Sequence, residues 1–217
     1  IGSPVLQYLA GAGIGHLTLL DGGEVEASNL QRQTIFRDDA SGHCKAALAA
    51  VWTRDFDPEL DVDFHHTHIS ADNAAELVSG ADLVVDGTDN FATRLAISDA
   101  CVTQTVPLLS AAVGRFQGQV GAFAGHRPDQ PCYRCFVGDA FDADDCDTCA
   151  DDGVLGAMVG WAGTFAAMQA VRVLLAPIKG MGDAQWGQIH LLDGLKPGMR
   201  SLTIAKDPGC KACGGEI

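Results

Sequence analysis

Four cysteines in two pairs constrain the fold of this chain more than any other feature. Cys132 and Cys135 form one C-x-x-C pair, and Cys210 and Cys213 form a second pair near the end of the sequence. Two residues between thiolates allow both to bind one ion, so two such pairs can make a closed tetrahedral site, the usual form of structural zinc. The alternative is two unrelated pairs of buried thiols. The sequence predicts a zinc knuckle with four cysteine ligands that joins the middle of the chain to its end.

Composition and charge restrict the classes of protein to which the chain can belong. The sequence has 217 residues, of which 47% are hydrophobic and 26 are glycine, which suits one α/β domain with tight turns. A formal net charge of -14 argues against general binding of nucleic acid, because phosphates would be repelled. Eight cysteines without a recognisable signal peptide indicate thiols and metal binding in the cytoplasm.

The pattern of apolar segments changes near the middle of the chain. Residues 1–115 alternate short apolar strands with helices, which is typical of a parallel, Rossmann-like nucleotide-binding half. Residues 116–217 form a second half with a mostly antiparallel pattern. Helices are predicted from residue 3, over 41–52 and over 91–104, and strands over 16–20, 62–69, 82–86, 106–109, 120–123, 189–192 and 202–204. We expect an α/β fold in which a single mixed sheet is flanked by helices, organised as one domain.

One uncharged segment has two interpretations. Residues 153–171 carry no charge, and a run of 18 or more apolar residues is the usual mark of a membrane-spanning helix. The segment is also rich in glycine and alanine, and Arg172 follows it closely. We therefore expect a helix that is buried against the sheet and packs closely through its glycines, with no membrane partner.

The first residues have the pattern of the second half of a nucleotide-binding βαβ unit. Gly2 precedes a helix that begins at Ser3 and Pro4, where serine can cap and proline is favoured in the first turn. The next predicted strand ends in Asp21, where an acidic residue commonly accepts the ribose hydroxyls. We expect the first strand and the glycine-rich loop of the unit to precede residue 1, so the nucleotide site within this sequence is incomplete.

Two further segments carry a more specific signature. Ser28-Asn29-Leu30-Gln31-Arg32-Gln33 is followed by Lys45, and Asp86-Gly87-Thr88-Asp89-Asn90 comes later. Together with Leu19-Leu20-Asp21 and both cysteine pairs, these residues resemble the ThiF/MoeB/HesA superfamily, the bacterial relatives of ubiquitin-activating enzymes. The resemblance covers essentially the whole chain. It implies ATP-dependent adenylation of the C-terminal glycine of a small ubiquitin-like sulfur-carrier protein that ends in Gly-Gly.

The resemblance also implies an assembly and partners. In the superfamily, the segment before the first helix carries an arginine that reaches the phosphates of the neighbouring subunit, which implies a homodimer with two ATP sites. The carrier would belong to the molybdopterin or thiamine pathway and would bind a surface of residues 116–217. A separate protein would donate the sulfur.

The chemistry of adenylation explains the residue types at the implied site. Arg32 and Lys45 would neutralise the phosphates, Arg32 as a planar fork and Lys45 as a point charge. Asp89 would hold Mg²⁺, and no general base is needed because the attacking carboxylate is already ionised. These three are candidate catalytic residues. The residues implied to bind the nucleotide and its magnesium are Gly2, Asp21, Ser28, Asn29, Gln31, Arg32, Lys45, Asp89 and Asn90.

Cys149 is the fourth candidate catalytic residue. It forms a third spaced pair with Cys146 in an aspartate-rich segment, where some superfamily members place the cysteine that receives the activated acyl group. Nearby aspartates disfavour the thiolate, so a loop cysteine without a catalytic role is an equal alternative. Cys44 and Cys101 are expected to pack within helices.

Two other functions stay open at this level. A non-catalytic binding scaffold could keep the same fold and zinc knuckle without a competent phosphate loop. A nicotinamide-dependent oxidoreductase is disfavoured, because Arg32 and Lys45 are directed at phosphates. Pyrophosphate exchange with a carrier separates adenylation from the scaffold, and a nicotinamide titration tests the oxidoreductase.

Overall fold

Strands and helices alternate through the first half of the molecule, and antiparallel strands dominate the second. The computed structural model describes residues 1–138, 153–178, 182–196 and 198–215. Its strands are β1 His16–Leu20, β2 Asp61–His65, β3 Val84–Asp86, β4 Leu108–Gly114, β5 Gln117–Phe123, β6 Gln188–Asp193 and β7 Gly198–Thr203. Its α-helices are α1 Gly2–Ala10, α2 Lys45–Phe56, α3 Ala74–Val78, α4 Phe91–Thr103, α5 Tyr133–Val137 and α6 Gly156–Leu175.

Hydrogen bonds join the strands into two sheets. β1 and β2 pair in parallel, with Leu19 opposite Phe64. The second sheet has the order β3-β4-β5-β6-β7, in which β3 and β4 are parallel and all later neighbours are antiparallel. The predicted parallel half followed by an antiparallel half is confirmed. The expected single sheet is divided in two. Among the described residues, no strand pairs with both β1 and β3 and so joins the two sheets. The strand expected before residue 1 stays a prediction.

α6 is the central helix of the larger core. By length and composition this helix could cross a membrane. It packs instead against α1, β4 and β5, and half of its most apolar 18-residue stretch is buried inside the fold. Ala162, Ala166 and Ala170 are fully buried, and they share one core cluster with Leu109 and Val120 of the sheet. Small side chains let the helix lie close to the strands. This packing agrees with the interpretation of residues 153–171 as a buried helix.

Helix caps fix the two helices that lead away from the candidate site. The Asn90 side-chain oxygen accepts a hydrogen bond from the Thr93 N–H at 2.8 Å, so Asn90 caps α4 as its residue type favours. α2 begins at Lys45, and the Cys44 sulfur before it accepts from the Ala47 N–H at 3.4 Å. Cys44 therefore caps α2, and the packing expected for it stays a prediction.

Two glycines of α6 provide a matched test of the packing between α1 and α6. A Cβ at Gly163 would overlap Pro4 and lie 3.1 Å from the Ile1 carbonyl oxygen, whereas nothing lies within 4 Å of a Cβ at Gly160. We expect Gly163→Ala to lower the melting temperature, because overpacking costs about 1–3 kcal/mol. Gly160→Ala should raise it, because alanine is favoured over glycine in a helix by about 1 kcal/mol.

Thermal unfolding followed by circular dichroism measures both changes, and about 1 kcal/mol corresponds to roughly 2–4 °C in a protein of this size. A rise in melting temperature for both variants would contradict the close contact of Gly163 with α1. A fall for Gly160→Ala would indicate a second close contact at Gly160, as a homodimer packed through this helix would make.

Candidate functional site

Asp21 and Lys45 lie together where β1 ends. Asp21 Oδ1 accepts a hydrogen bond from the Gly23 N–H at 2.8 Å, which orders the turn after the strand. A Cβ on Gly23 would lie 3.2 Å from Asp21 Oδ1 and 3.3 Å from Lys45 Nζ. The carboxylate at the end of β1 and the ammonium at the start of α2 therefore flank the same small residue. Nucleotides commonly bind at this end of a parallel strand.

A chain of hydrogen bonds orients Arg32. Glu26 Oε2 accepts from Asn29 Nδ2 at 2.8 Å and from Ser28 Oγ at 3.2 Å. Asn29 Oδ1 in turn accepts from one terminal nitrogen of Arg32, and the other terminal nitrogen donates to the Ser28 carbonyl oxygen at 3.4 Å. Asn29 is only 8% exposed. Two of the predicted nucleotide-binding residues, Ser28 and Asn29, thus hold the guanidinium of a third.

The loop between β3 and α4 presents Asp89. Asp86 is buried at the end of β3, and its Oδ1 accepts from the Thr88 N–H at 2.9 Å and from the Thr88 hydroxyl at 2.8 Å. Burial raises the pKa of Asp86 above its usual value. From α4, the buried Arg94 donates to the Thr88 carbonyl oxygen through Nε at 2.9 Å and through a terminal nitrogen. Asp89 is exposed and makes no hydrogen bond or ion pair within the described ranges.

The start of α1 is where these charged groups meet. Arg32, Asp89 and Asp21 all lie close enough to the backbone nitrogen of Ile1 to interact with it electrostatically. A Cβ on Gly87 would lie 3.1 Å from the Ile1 side chain, so the loop after β3 touches this end of the helix. Three residues predicted from separate segments therefore surround the amide end of α1, which carries a partial positive charge.

The other predicted residues have different surroundings. Gly2 lies in the first turn of α1, at the same edge. Gln31 donates to the Val154 carbonyl oxygen at 3.4 Å, just before α6. The Asn90 side-chain oxygen is used to cap α4. Cys149 lies outside the described residues. The nucleotide contacts predicted for Gly2, Gln31 and Asn90 and the acyl-acceptor role considered for Cys149 stay predictions.

Residues without a predicted role support the charged ones. Glu26 orients Asn29 and through it Arg32, while Asp86, Thr88 and Arg94 hold the backbone before Asp89. Asp86 and Thr88 lie within a signature segment, and Glu26 and Arg94 lie within a few residues of one, so their positions in the sequence indicate a role at the site. Their hydrogen-bond partners could not be predicted from the sequence, because each bond depends on the geometry of a turn or of the start of a helix.

The four predicted thiols form one cluster. Cys132 Sγ lies 3.9 Å from Cys135 Sγ and 3.6 Å from Cys210 Sγ, and Cys135 Sγ lies 3.4 Å from Cys213 Sγ. All four sulfur atoms lie within 4.8 Å of one another. Four sulfurs at about 2.3 Å from one ion would stand about 3.8 Å apart in a tetrahedron. The cluster therefore could bind a metal ion, with every position filled by a protein ligand.

The thiol cluster is anchored to α4. Arg134, which lies inside the first pair, contacts Asp99 through two nitrogens, at 3.2 and 2.8 Å. Val102 of the same helix packs among the thiols. A Cβ at Gly214 would lie 2.6 Å from the Cys210 nitrogen, so the turn around the second pair needs glycine. The end of the chain is thus tied to the helix that leads away from the candidate nucleotide site.

Burial and hydrogen bonds shift the pKa values of the thiols in opposite directions. At Cys210 burial is outweighed by hydrogen bonds from the backbone N–H groups of Cys213 and Ala212, which lower the pKa. Burial raises the pKa of Cys132, and it raises the pKa of Cys213 to about 11. In the absence of a cation these thiols hold their protons, which a bound metal must displace. Outside the cluster, burial and then the nearby Asp86 raise the pKa of Cys101 to about 12, as suits a packing thiol in a helix.

Fold and site together define an α/β nucleotide-binding domain that carries a possible metal-binding thiol cluster. The model of the ThiF family matches residues 1–212, and the chain belongs to the ThiF family. It is 36% identical over 214 residues to the SAMP-activating enzyme E1 of Haloferax volcanii, which covers 99% of this chain and 77% of that protein. It is also 36% identical over 221 residues to the sulfur carrier protein adenylyltransferase of Thermus thermophilus, covering all of this chain and 79% of that protein.

Solved structures show the same fold. The crystal structure of E. coli MccB with MccA-N7isoASN superimposes with a TM-score of 0.83 at 18% identity, covering 99% of this chain and 64% of that chain. The chain spans about half the length of insect relatives named adenylyltransferase and sulfurtransferase MOCS3. The resemblance inferred from the sequence signature is confirmed at the level of family and fold.

Proposed function

We propose that this protein uses ATP to adenylate the C-terminal glycine of a small ubiquitin-like sulfur-carrier protein. The observation that carries the proposal is the convergence of Arg32, Asp21 and Asp89 at the start of α1, in a chain of the ThiF family. The names of the two relatives, SAMP-activating enzyme E1 and sulfur carrier protein adenylyltransferase, support the same reaction class.

The side chains of the site suit attack of a carboxylate on the α-phosphate. A bond forms between the carrier carboxylate oxygen and the α-phosphorus, and the bond from that phosphorus to the bridging oxygen breaks, so pyrophosphate leaves with the electron pair. Arg32, held by Asn29, would bind phosphate oxygens through its planar fork. Lys45 would add a second positive charge where negative charge develops. The carrier carboxylate is ionised at neutral pH, so the site needs no general base.

Two metal ions belong to the proposal. Asp89 is an exposed carboxylate on a loop that is fixed on both sides, and Mg²⁺ binds through one or two carboxylates together with nucleotide phosphates. When bound there, Mg²⁺ would neutralise phosphate charge. The thiol cluster would hold one structural Zn²⁺, since four sulfur ligands at this spacing are typical of that ion.

The wider setting is proposed on the same basis. The carrier would end in Gly-Gly, bind residues 116–217 and serve the molybdopterin or thiamine pathway, with sulfur supplied by a separate protein. The enzyme would act in the cytoplasm as a homodimer with two ATP sites. Cys149 would receive the activated carrier only in a later transfer step.

Carrier-dependent pyrophosphate exchange tests the reaction. We expect Arg32→Ala and Lys45→Ala each to lower the exchange rate by about a hundredfold, the scale for losing one preorganised charge at a developing anion. The assay measures exchange in the presence of a carrier ending in Gly-Gly. Arg37→Ala is the matched control, because Arg37 is on the same segment and its side chain is 85% exposed. It should leave the rate unchanged.

Two results would contradict the proposal. Equal losses for Arg37→Ala and Arg32→Ala would show that the site is assigned to the wrong residues. Native protein that binds the carrier but catalyses no exchange would support the non-catalytic scaffold instead.

A further inference from the structure

We propose that Asp86, Thr88 and Arg94 form a clamp that positions Asp89 for its cation. The inference rests on the proposed function, because that function gives Asp89 its cation. These three side chains are positioning residues, since each of them acts through the backbone next to Asp89.

The first half of the clamp closes the loop onto β3. Asp86 is 2% exposed, and one of its carboxylate oxygens accepts both the N–H and the hydroxyl of Thr88. An aspartate that accepts from the residue two positions later orders a turn, here over Gly87. The hydroxyl adds a second bond, which fixes the side chain of Thr88 as well as its backbone.

The second half of the clamp closes the loop onto α4. Arg94 is 3% exposed and donates two hydrogen bonds to the Thr88 carbonyl oxygen. Its guanidinium lies 5.5 Å from the centre of the Phe91 ring, which limits its movement. Hydrogen bonds from a charged donor are stronger than neutral ones, and burial strengthens them further. The N–H, hydroxyl and carbonyl of Thr88 are therefore all engaged.

Asp89 lies between two fixed residues. Thr88 is held before it, and Asn90 after it caps α4 at 2.8 Å. The carboxylate itself has no partner within the described ranges and is exposed. This arrangement leaves one anionic side chain free on a rigid backbone. A ligand held in this way loses little freedom when a cation binds, which is the advantage of preorganisation.

Thr88→Val tests the clamp, because valine keeps the shape of threonine and removes only the hydroxyl bond. Thr53→Val is the control: Thr53 is fully buried in α2 and its hydroxyl bonds to the Ala49 carbonyl oxygen at 2.8 Å, away from the loop. Hydrogen exchange read by mass spectrometry measures the amides of residues 88–90. Titration with a fluorescent ATP analogue, with and without Mg²⁺, measures the cation site.

We expect Thr88→Val to speed exchange of these amides and to raise the half-saturating Mg²⁺ concentration by about threefold to tenfold, the effect of one lost hydrogen bond. Binding of the analogue without Mg²⁺ should stay unchanged, and so should both readouts in Thr53→Val. Asp86→Ala, which removes the acceptor of both bonds, should behave like Thr88→Val or worse.

The clamp would be overturned if Thr88→Val changed neither the hydrogen exchange of amides 88–90 nor the half-saturating Mg²⁺ concentration. It would also be overturned if Thr53→Val changed both quantities as much as Thr88→Val does. Failure of the proposed function has a different signature. In that case the native protein shows no Mg²⁺-dependent nucleotide binding, while the exchange difference between Thr88→Val and Thr53→Val persists and supports the clamp as a feature of the loop.

Discussion

Asp89→Ala is expected to lower carrier-dependent pyrophosphate exchange by about a thousandfold or more and to leave the fold intact. The reason is that a metal ion contributes several kcal/mol of charge stabilisation, and each 1.36 kcal/mol is about tenfold in rate. Asp89 is exposed and unpaired within the described ranges, so its removal should change stability by less than about 0.5 kcal/mol. Exchange kinetics, the melting temperature and the zinc content of the same sample measure the three parts of this result.

Two controls isolate the role of the Asp89 carboxylate. Asp82→Ala removes another exposed carboxylate at the opposite end of β3 and should leave the exchange rate unchanged. Cys149→Ala should also retain adenylation and impair only transfer of the activated carrier. Full exchange in Asp89→Ala would show that the site assignment is wrong. Loss of exchange in Cys149→Ala alone would contradict the separation of adenylation from thiol transfer.

The architecture could be predicted from the sequence where elements are long or strongly apolar. α4 and α6 are 13 and 20 residues long, and their predicted positions agree with the structure to within a few residues. α3 and α5 each have five residues, which is too short for a helical period to be visible. The division into two sheets depends on which strands pair, and strand pairing is a long-range property that apolar patterns do not encode.

At the candidate site, the types of the functional residues could be predicted from the sequence, but the side chains that hold them could not. Arg32 and Asp89 could be predicted because the reaction needs a cation and a metal ligand, and the signature segments contain them. The contribution of Glu26 could not, because it reaches Arg32 only through the side chain of Asn29. Arg94 has the appearance of an ordinary helix arginine in sequence, and only the loop geometry shows that it holds the Thr88 carbonyl.

Loss of the thiol cluster is the second large effect that we expect. Cys132→Ser and Cys210→Ser should each abolish binding of one zinc per chain and lower the melting temperature by about 10–20 °C. Loss of a structural metal belongs to the small class of changes that cost more than about 4–5 kcal/mol, and each kcal/mol is worth roughly 2–4 °C at this size. Cys44→Ser is the control, because its thiol only caps α2 and serine can also cap. Metal analysis and thermal unfolding measure both properties.

The same cluster predicts how stability depends on pH. Burial raises the pKa of Cys132, and it raises the pKa of Cys213 to about 11, so these two thiols are protonated without metal and must lose their protons when zinc binds. Acid therefore favours the metal-free state, and the zinc-dependent part of the melting temperature should be present at neutral pH and be lost as the pH falls. A chelator at neutral pH should reproduce the acid-treated protein. Native protein without zinc, or zinc that is retained in Cys132→Ser and lost in Cys146→Ser, would show that the ligands are different from the four in this cluster.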